Sequence, residues 1–391
     1  MRTSLSTQPP VTEPRADMTI EEVRESFRHW LVERADALER FTELPTDVEG
    51  IFDTLSAMQR ELYDAGWIRL GWPEQLGGLG GDIILRAVIS EELAAAGYPP
   101  PFSFATQEVL GPAVARFAPV DLREEVLPRL LRGDESWCQG FSEPGAGSDL
   151  ASLRTKAVDA GDHWVVTGEK IWTSWAQFAD RCLLLTRTGA PDSSHRGITA
   201  LFVDMDTPGI TVSPLTAITG EADFSSLFFD EVRVPKTRTI GEVNGGWAVA
   251  MFILSCERGA AAWQRQAWMR WRMERLAAEA PDLDPVRLGE VFELVSSLRL
   301  LSRRTLRALN AGTDLGVLPS FDKHVMSTAE KFLFDTALTA LPQTLLVDAD
   351  RTARDWRTDY LYSRASSIYG GAKEIQRNII GERILGLPRE N

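Results

Sequence analysis

A carboxylate and a guanidinium stand together in an otherwise apolar stretch of the chain. In MFILSCERGA, residues 251–260, Glu257 and Arg258 are the first charges after Glu242. Burial among apolar side chains raises the pKa of a carboxyl group, which can then act as a general base near neutral pH. The alternative is a solvated Glu–Arg pair on the outer face of a helix. This segment alone leaves both interpretations open.

Two glycines precede a polar helix near the end of the chain, in IYGGAKEIQRNIIGERILGLPRE, residues 368–390. Gly370 and Gly371 can expose backbone amides at the helix N-terminus, which is a suitable site for an anion. The alternative is a simple glycine turn before a packed C-terminal helix.

The segment FSEPGAGSD, residues 141–149, combines glycines with hydroxyl groups. Gly145 and Gly147 let the backbone approach a ligand closely, and Ser142 and Ser148 supply the hydroxyls. A polar turn between two strands explains the same composition equally well.

The segment GEKIWTSWAQFAD, residues 168–180, places an indole beside two small hydroxyls. Trp172 offers a face on which a planar cofactor can stack, and Thr173 and Ser174 offer hydrogen-bond donors. The alternative is that the tryptophans of this segment only pack against a strand.

Three parts of the chain must bring these segments together. Residues 18–134 and 243–391 show helical periodicity, whereas residues 135–242 are short apolar runs rich in β-branched and aromatic side chains. We therefore predict an N-terminal helical domain, a middle β-barrel or sandwich domain and a C-terminal helical domain. Residues 1–17 are predicted to be a disordered tail.

The composition excludes some functions. A net charge of −14 argues against a bulk electrostatic binder of nucleic acid or membranes. The three cysteines form no CxxC pair and no secretory signal is recognisable, so we expect free thiols and a cytoplasmic protein. The four histidines form no HxxxH pair, so we predict no metal site.

The quoted segments occur in one chain together with HRG, VRVP and GGW, in that order after GEKIWTSWAQFAD. With these motifs the chain resembles the acyl-CoA dehydrogenase family over roughly residues 19–391, and within it the actinobacterial members that act on steroid-derived or branched acyl groups. The resemblance implies a mainly α fold with a helical N-terminal domain, a central β-barrel and a C-terminal four-helix bundle. It also implies FAD as cofactor and an acyl-CoA thioester as substrate.

The resemblance assigns roles by position. The residues expected to bind the cofactor are Phe141 and Ser142 at the pyrimidine edge of the flavin, Trp172 against its ring, Ser174 at N5, and also Gln343 and Gly371. The residues expected to bind the substrate are Ser148, Arg258 and Tyr369.

The expected base has an unusual place. Many family members carry the catalytic Glu immediately after the signature Tyr, where this chain has Gly370. A minority place it in a Glu-Arg pair on the helix after GGW, which Glu257 matches, with Glu374 and Glu382 as the competing carboxylates. The resemblance then implies that Glu257 removes the α proton, that the N–H of Gly370 contacts the thioester oxygen, and that the product is a trans-2-enoyl-CoA. The missing side chain at Gly370 favours a bulky or branched acyl group.

The resemblance also implies partners. The chain is expected to form a homotetramer or an α2β2 heterotetramer with a related chain, and to pass electrons to an electron-transfer flavoprotein. Two alternatives to a dehydrogenase are a non-catalytic partner subunit and a flavin monooxygenase on the same fold.

Overall fold

In the computed structural model, the described residues are 13–101, 104–190, 192–313, 315–347 and 351–388. Most of the predicted tail, residues 1–12, lies outside them. Its last residues contact the N-terminal helices, since Pro14 packs against Gly66 and Ala16 against Gly81.

The N-terminal part is helical, as predicted. Thr19 caps the first helix, because its hydroxyl accepts a hydrogen bond from the Glu22 N–H while the Glu22 carboxylate accepts one from the Thr19 N–H. The last helix ends at Gly133, whose φ of +81° favours glycine. The helices are α1 (Ile20–Glu33), α2 (Ala35–Leu38), α3 (Val48–Asp64), α4 (Ile83–Ala95), α5 (Phe104–Val109), α6 (Gly111–Phe117) and α7 (Val120–Arg132).

The middle part is one sheet of eight strands, ordered β6-β7-β3-β2-β4-β5-β8, with β1 paired to β4. The predicted barrel is therefore corrected to an open sheet. A barrel needs its first and last strands to pair, but β6 lies at one edge and β8, with only two residues, at the other. The strands are β1 (Trp137–Gly140), β2 (Lys156–Asp159), β3 (His163–Ser174), β4 (Arg181–Arg187), β5 (Ile198–Asp204), β6 (Ile210–Leu215), β7 (Phe224–Pro235) and β8 (Thr239–Ile240).

The long pair β3–β7 contains an irregularity between Lys170 and Thr173. A β-bulge redirects side chains, and here Trp172 has a φ of +61° and an indole that is 59% exposed. Its neighbours Lys170 and Thr173 are buried. The bulge thus presents one large aromatic ring at the surface of the sheet.

The C-terminal part is again helical. Its three long helices α8, α9 and α10 pack against one another, and α12 packs on α10. Pro285 and Pro319 each stand at the start of a helix, where a missing N–H is tolerated. The helices are α8 (Gly246–Glu279), α9 (Pro285–Asn310), α10 (Pro319–Ala340), α11 (Pro342–Leu346), α12 (Arg351–Ser363) and α13 (Lys373–Ile379), which continues as a π-helical turn at Ile380–Ile384.

One hydrophobic cluster joins the three parts. It contains Leu127 of α7, Trp137 and Phe202 of the sheet, and Val249 and Ile253 of α8. The start of α8 also lies directly on β5, because a Cβ on Gly246 would stand only 2.6 Å from the Ala200 nitrogen. The helix that carries Glu257 is thereby fixed to the sheet that carries Trp172. No helix among the described residues is long and apolar enough to cross a membrane.

Candidate active site

Glu257 and Gly370 lie together, although 112 residues separate them in the sequence. Glu257 projects from α8, three turns after its start. A Cβ placed on Gly370 would stand 2.9 Å from the Glu257 Oε1 atom. The carboxylate thus occupies the space beside the turn where a side chain at position 370 would begin.

The electrostatic surroundings of Glu257 suit a base. Its side chain is partly buried, so that a ligand can still reach it. Burial raises the pKa of the carboxyl group above its usual value, while the charges of Lys323 and Arg258 act in the opposite direction. The raised pKa gives the carboxylate a greater affinity for a proton than an exposed glutamate has.

The turn at Gly370 and Gly371 has backbone angles that favour glycine, with φ values of +62° and +99°. Within the described residues, no hydrogen bond uses the N–H of Gly370. That N–H is therefore available to a ligand beside the Glu257 carboxylate. Arg258 lies next to the same turn, because one of its terminal nitrogens is 3.7 Å from the Cβ position of Gly371.

Three charged side chains of α8 and α10 around Tyr369 were not predicted from the sequence. Lys323 of α10 is 2% exposed and donates a hydrogen bond of 2.8 Å to the Ser366 carbonyl oxygen. Glu330, one heptad further along α10, is fully buried and accepts hydrogen bonds of 3.2 and 2.5 Å from Arg265 of α8. The signal was present, because both α10 charges fall on the stripe that also contains the buried Met326 and Leu333.

The residues predicted to hold the flavin lie near the C-terminal ends of β1 and β3. Phe141 is buried directly after β1, and the Ser142 carbonyl oxygen accepts a hydrogen bond from the N–H of Ile171 in β3. Trp172 and Ser174 follow on β3, and both are exposed. The Trp172 indole meets the Phe224 ring edge to face at a centroid distance of 6.0 Å.

The ends of β1 and β3 form a suitable site for a planar group that has polar atoms along its edges. A large exposed indole offers a stacking face, and the Thr173 hydroxyl is buried without a hydrogen-bond partner among the described residues. Burial raises the pKa of Tyr362 in α12, and the Asp223 carboxylate, next to Phe224, adds to that increase, so the start of β7 lies within electrostatic range of α12. The residues present therefore fit a flavin held between the sheet and the helices.

The remaining predicted residues have different positions. Tyr369 lies beside Lys323, with the centre of its ring 3.9 Å from the Lys323 Nζ atom. Ser148 is exposed in the loop after β1. Gln343 is exposed on α11, which follows α10 directly, and has no described contact with Glu257 or Gly370. Among the competing carboxylates, Glu374 is exposed on α13 and Glu382 is partly exposed in the turn that follows.

Comparison with known proteins decides the family. The sequence models "Acyl-CoA dehydrogenase, N-terminal domain" and "Acyl-CoA dehydrogenase, middle domain" match residues 14–134 and 138–232. The acyl-CoA dehydrogenase IpdE1 of Mycobacterium tuberculosis is 35% identical over 382 residues, covering 95% of this chain and 98% of that protein. The chain belongs to the acyl-CoA dehydrogenase family. Its members are FAD-dependent oxidoreductases, which confirms the predicted enzyme class and cofactor.

Two solved structures are similar to this chain over nearly its whole length. The steroid acyl-CoA dehydrogenase Tcur3481-Tcur3483 has a TM-score of 0.82 at 28% identity, covering 95% of this chain and 98% of that chain. The ChsE4-ChsE5 complex from Mycobacterium tuberculosis has a TM-score of 0.78 at 28% identity, covering both chains completely. Both structures are named as pairs of proteins. The roles of individual residues in this acyl-CoA dehydrogenase remain predictions.

Proposed function

We propose that this acyl-CoA dehydrogenase converts an acyl-CoA thioester into a trans-2-enoyl-CoA, with Glu257 as the base that removes the α proton. The observation that carries this proposal is the position of the Glu257 carboxylate, 2.9 Å from the Cβ position of Gly370. In many family members the base projects from the residue after the signature Tyr, which here is Gly370. The carboxylate from α8 thus reaches the same place from another element.

The chain's own groups perform the acid–base part of the reaction. Glu257 takes the α proton, and its raised pKa favours that transfer. The free N–H of Gly370 donates to the thioester oxygen, where negative charge develops as the proton leaves. Arg258 and Tyr369 line the substrate side of this turn. Trp172 and Ser174 would hold FAD, which would supply the acceptor for the β hydrogen as a hydride.

In our proposal four residues of this chain hold the flavin, namely Phe141, Ser142, Trp172 and Ser174. Three observations support this: the four residues lie together at the ends of β1 and β3, the indole is exposed, and the buried Thr173 hydroxyl has no hydrogen-bond partner among the described residues. Gly371 and Gln343 are assigned to the cofactor and Ser148 to CoA by resemblance. Gln343 lies on the separate helix α11, so we assign it to the flavin of a second chain in an oligomer.

We propose a bulky or branched acyl group, such as a steroid-derived one. The Glu257 carboxylate fills the space that a side chain at position 370 would take, so this proposal rests on the resemblance to family members that act on such groups. The similarity to a dehydrogenase named for steroids supports the same class.

We also propose that the chain works in a hetero-oligomer with a related chain rather than as a homotetramer. Similarity to two structures that are named as pairs supports this. An electron-transfer flavoprotein as acceptor and a cytoplasmic location both remain predictions.

The test is anaerobic bleaching of the flavin by acyl-CoA thioesters, followed for the wild type, Glu257→Gln and Glu374→Gln. The amide keeps the shape of the side chain but cannot take a proton, so we expect Glu257→Gln to bleach about 10²–10⁴-fold more slowly. Glu374→Gln, which alters the exposed competitor, should bleach at the wild-type rate. Wild-type bleaching by Glu257→Gln would refute the assignment of the base.

The same assay tests the substrate and the two alternatives. Bleaching by straight-chain thioesters, with none by branched or steroid thioesters, would refute the proposed substrate class. A purified chain without flavin and without bleaching would indicate the non-catalytic subunit. A monooxygenase would instead combine fast reoxidation by O2 with indifference to Glu257→Gln.

A further inference from the structure

Lys323 is a buried ammonium that contacts the proposed active site from a second helix. Its Nζ atom lies 2.8 Å from the Ser366 carbonyl oxygen and 3.9 Å from the centre of the Tyr369 ring. The same Nζ atom is 3.7 Å from the Cβ position of Gly370, and the Glu257 Oε1 atom is 2.9 Å from that position. The lysine and the glutamate therefore both lie next to the same point in the turn.

A purely structural role would not require a charge at this position. A neutral amide could donate the same hydrogen bond to Ser366, whereas burying an ammonium costs free energy unless opposite charges compensate it. The compensating charges are Glu257 of α8 and Glu330 of α10, and the like charges nearby are Arg258 and Arg265 of α8. Tyr362 and Tyr369 are the other titratable groups that face this cluster.

We infer that Lys323 is a positioning residue, whose ammonium keeps the Glu257 carboxylate ionised and holds it against the Gly370 turn. This inference rests on the proposed role of Glu257 as the base. Glu257 is attached to α8, while Lys323 links α10 to the carbonyl of Ser366 and to the ring of Tyr369. The base and the turn that binds the thioester oxygen are thus held in register by one cation.

The titration of the two groups agrees with this arrangement. Burial lowers the pKa of Lys323 to about 8, while Glu257 and Glu330 oppose that decrease, so the amine is mainly protonated at pH 7. In Glu257 burial raises the pKa, and Lys323 is the first of the two cations that oppose the increase. Removal of the ammonium should therefore raise the pKa of Glu257 further.

The size of this effect follows from the separation. The Lys323 Nζ atom and the Glu257 Oε1 atom lie within about 7 Å of each other, because they stand 3.7 Å and 2.9 Å from one point, and two unit charges at such a separation in a partly buried site move a titration midpoint by about one to two pH units. We expect this increase for Glu257 in Lys323→Gln, which keeps a hydrogen-bond donor, and in Lys323→Met, which does not. Lys323→Arg keeps the charge and should restore most of the wild-type midpoint.

The experiment follows the Glu257 carboxyl band by infrared spectroscopy of the full-length protein with labelled glutamate. Subtraction of the Glu257→Gln spectrum isolates the band of this one residue at each pH. The matched control is Lys331→Met, which removes the same charge from α10 but about 12 Å further along the helix. A Glu257 midpoint that is unchanged in a folded neutral variant of Lys323, or raised equally in Lys331→Met, would overturn the inference.

A reciprocal measurement requires no change at Lys323. The chain has only six lysines, so the Nζ resonance of Lys323 can be followed with labelled lysine. Coupled sites affect each other equally, so Glu257→Gln should lower the Lys323 midpoint by the same one to two pH units that Glu257 gains without the lysine. An unchanged Lys323 midpoint would also overturn the inference. Neither measurement uses turnover, so both remain decisive if the bleaching assay refutes Glu257 as the base.

Discussion

Substitution of Gly370 by alanine tests the contact on which the proposed site depends. The new Cβ would stand 2.9 Å from the Glu257 Oε1 atom, whereas ordinary contacts of this kind begin at 3.4 Å. The carboxylate must therefore retreat by about 0.5 Å. Because a displacement of 1 Å can cost a factor of about 10² in rate, we expect the anaerobic bleaching rate to fall by roughly tenfold.

Gly370→Ala also has an effect on stability that must be separated from the contact. A φ of +62° costs an alanine roughly 1–2 kcal/mol relative to glycine. For a chain of this size, such a loss lowers the thermal midpoint by a few degrees. This effect comes from the backbone alone and would occur in any turn of the same shape.

Gly312→Ala is the matched control. Gly312 has a φ of +67°, and none of the described residues lies within 4 Å of the Cβ that it would acquire. We expect Gly312→Ala to lower the thermal midpoint by a similar amount but to bleach at the wild-type rate. A wild-type bleaching rate in Gly370→Ala, or an equal loss of rate in both variants, would refute the contact between position 370 and Glu257.

Two further variants test the sheet. Glu143→Gln leaves the fully buried Lys170 without its 2.8 Å ion pair, which should cost about 3–5 kcal/mol in thermal unfolding at pH 7. Burial raises the pKa of Glu143, but the charge of Lys170 and the hydrogen bonds lower it more, so the pKa lies below 4.5. The difference in stability between the variant and the wild type should therefore be complete above pH 4.5 and shrink as the pH falls further. Equal thermal midpoints at pH 7 would contradict this account. Trp172→Ala should weaken FAD binding by about tenfold or more in a fluorescence titration, because stacking on an aromatic ring is worth about 1–3 kcal/mol. The unfolding of the FAD-free protein should change little, since the indole is 59% exposed, and the reverse pattern would assign the indole to the core instead.

Much of the helical structure was predictable from the sequence. The helical periodicity predicted for residues 243–391 corresponds to helices that include α9 (Pro285–Asn310) and α10 (Pro319–Ala340). Their apolar stripes and their proline starts are local signals, so no tertiary information was needed. The signal of α12 is weaker, because RTARDWRTDYLYS is dominated by charged and polar residues and buries only Ala353, Trp356 and Ser363.

The predicted barrel was wrong for a reason that lies in long-range pairing. Short apolar runs predict strands but not whether the first and last strands meet, which depends on register and shear across the whole sheet. Lys323 was missed for a similar reason. Its spacing along α10 indicated a buried charge, but only the fold brings it to Gly370 and Glu257.

The hydrophobic cluster that joins α7, the sheet and α8 makes the catalytic arrangement a cooperative property of the whole chain. The proposed indole platform belongs to the sheet, the proposed base to the helix that begins on β5, and the proposed oxyanion N–H to a turn more than a hundred residues later. No single one of the three parts of the chain contains all of them. We therefore expect an opening of that shared core to separate the proposed base from the proposed flavin platform, so that activity is lost before the rest of the fold.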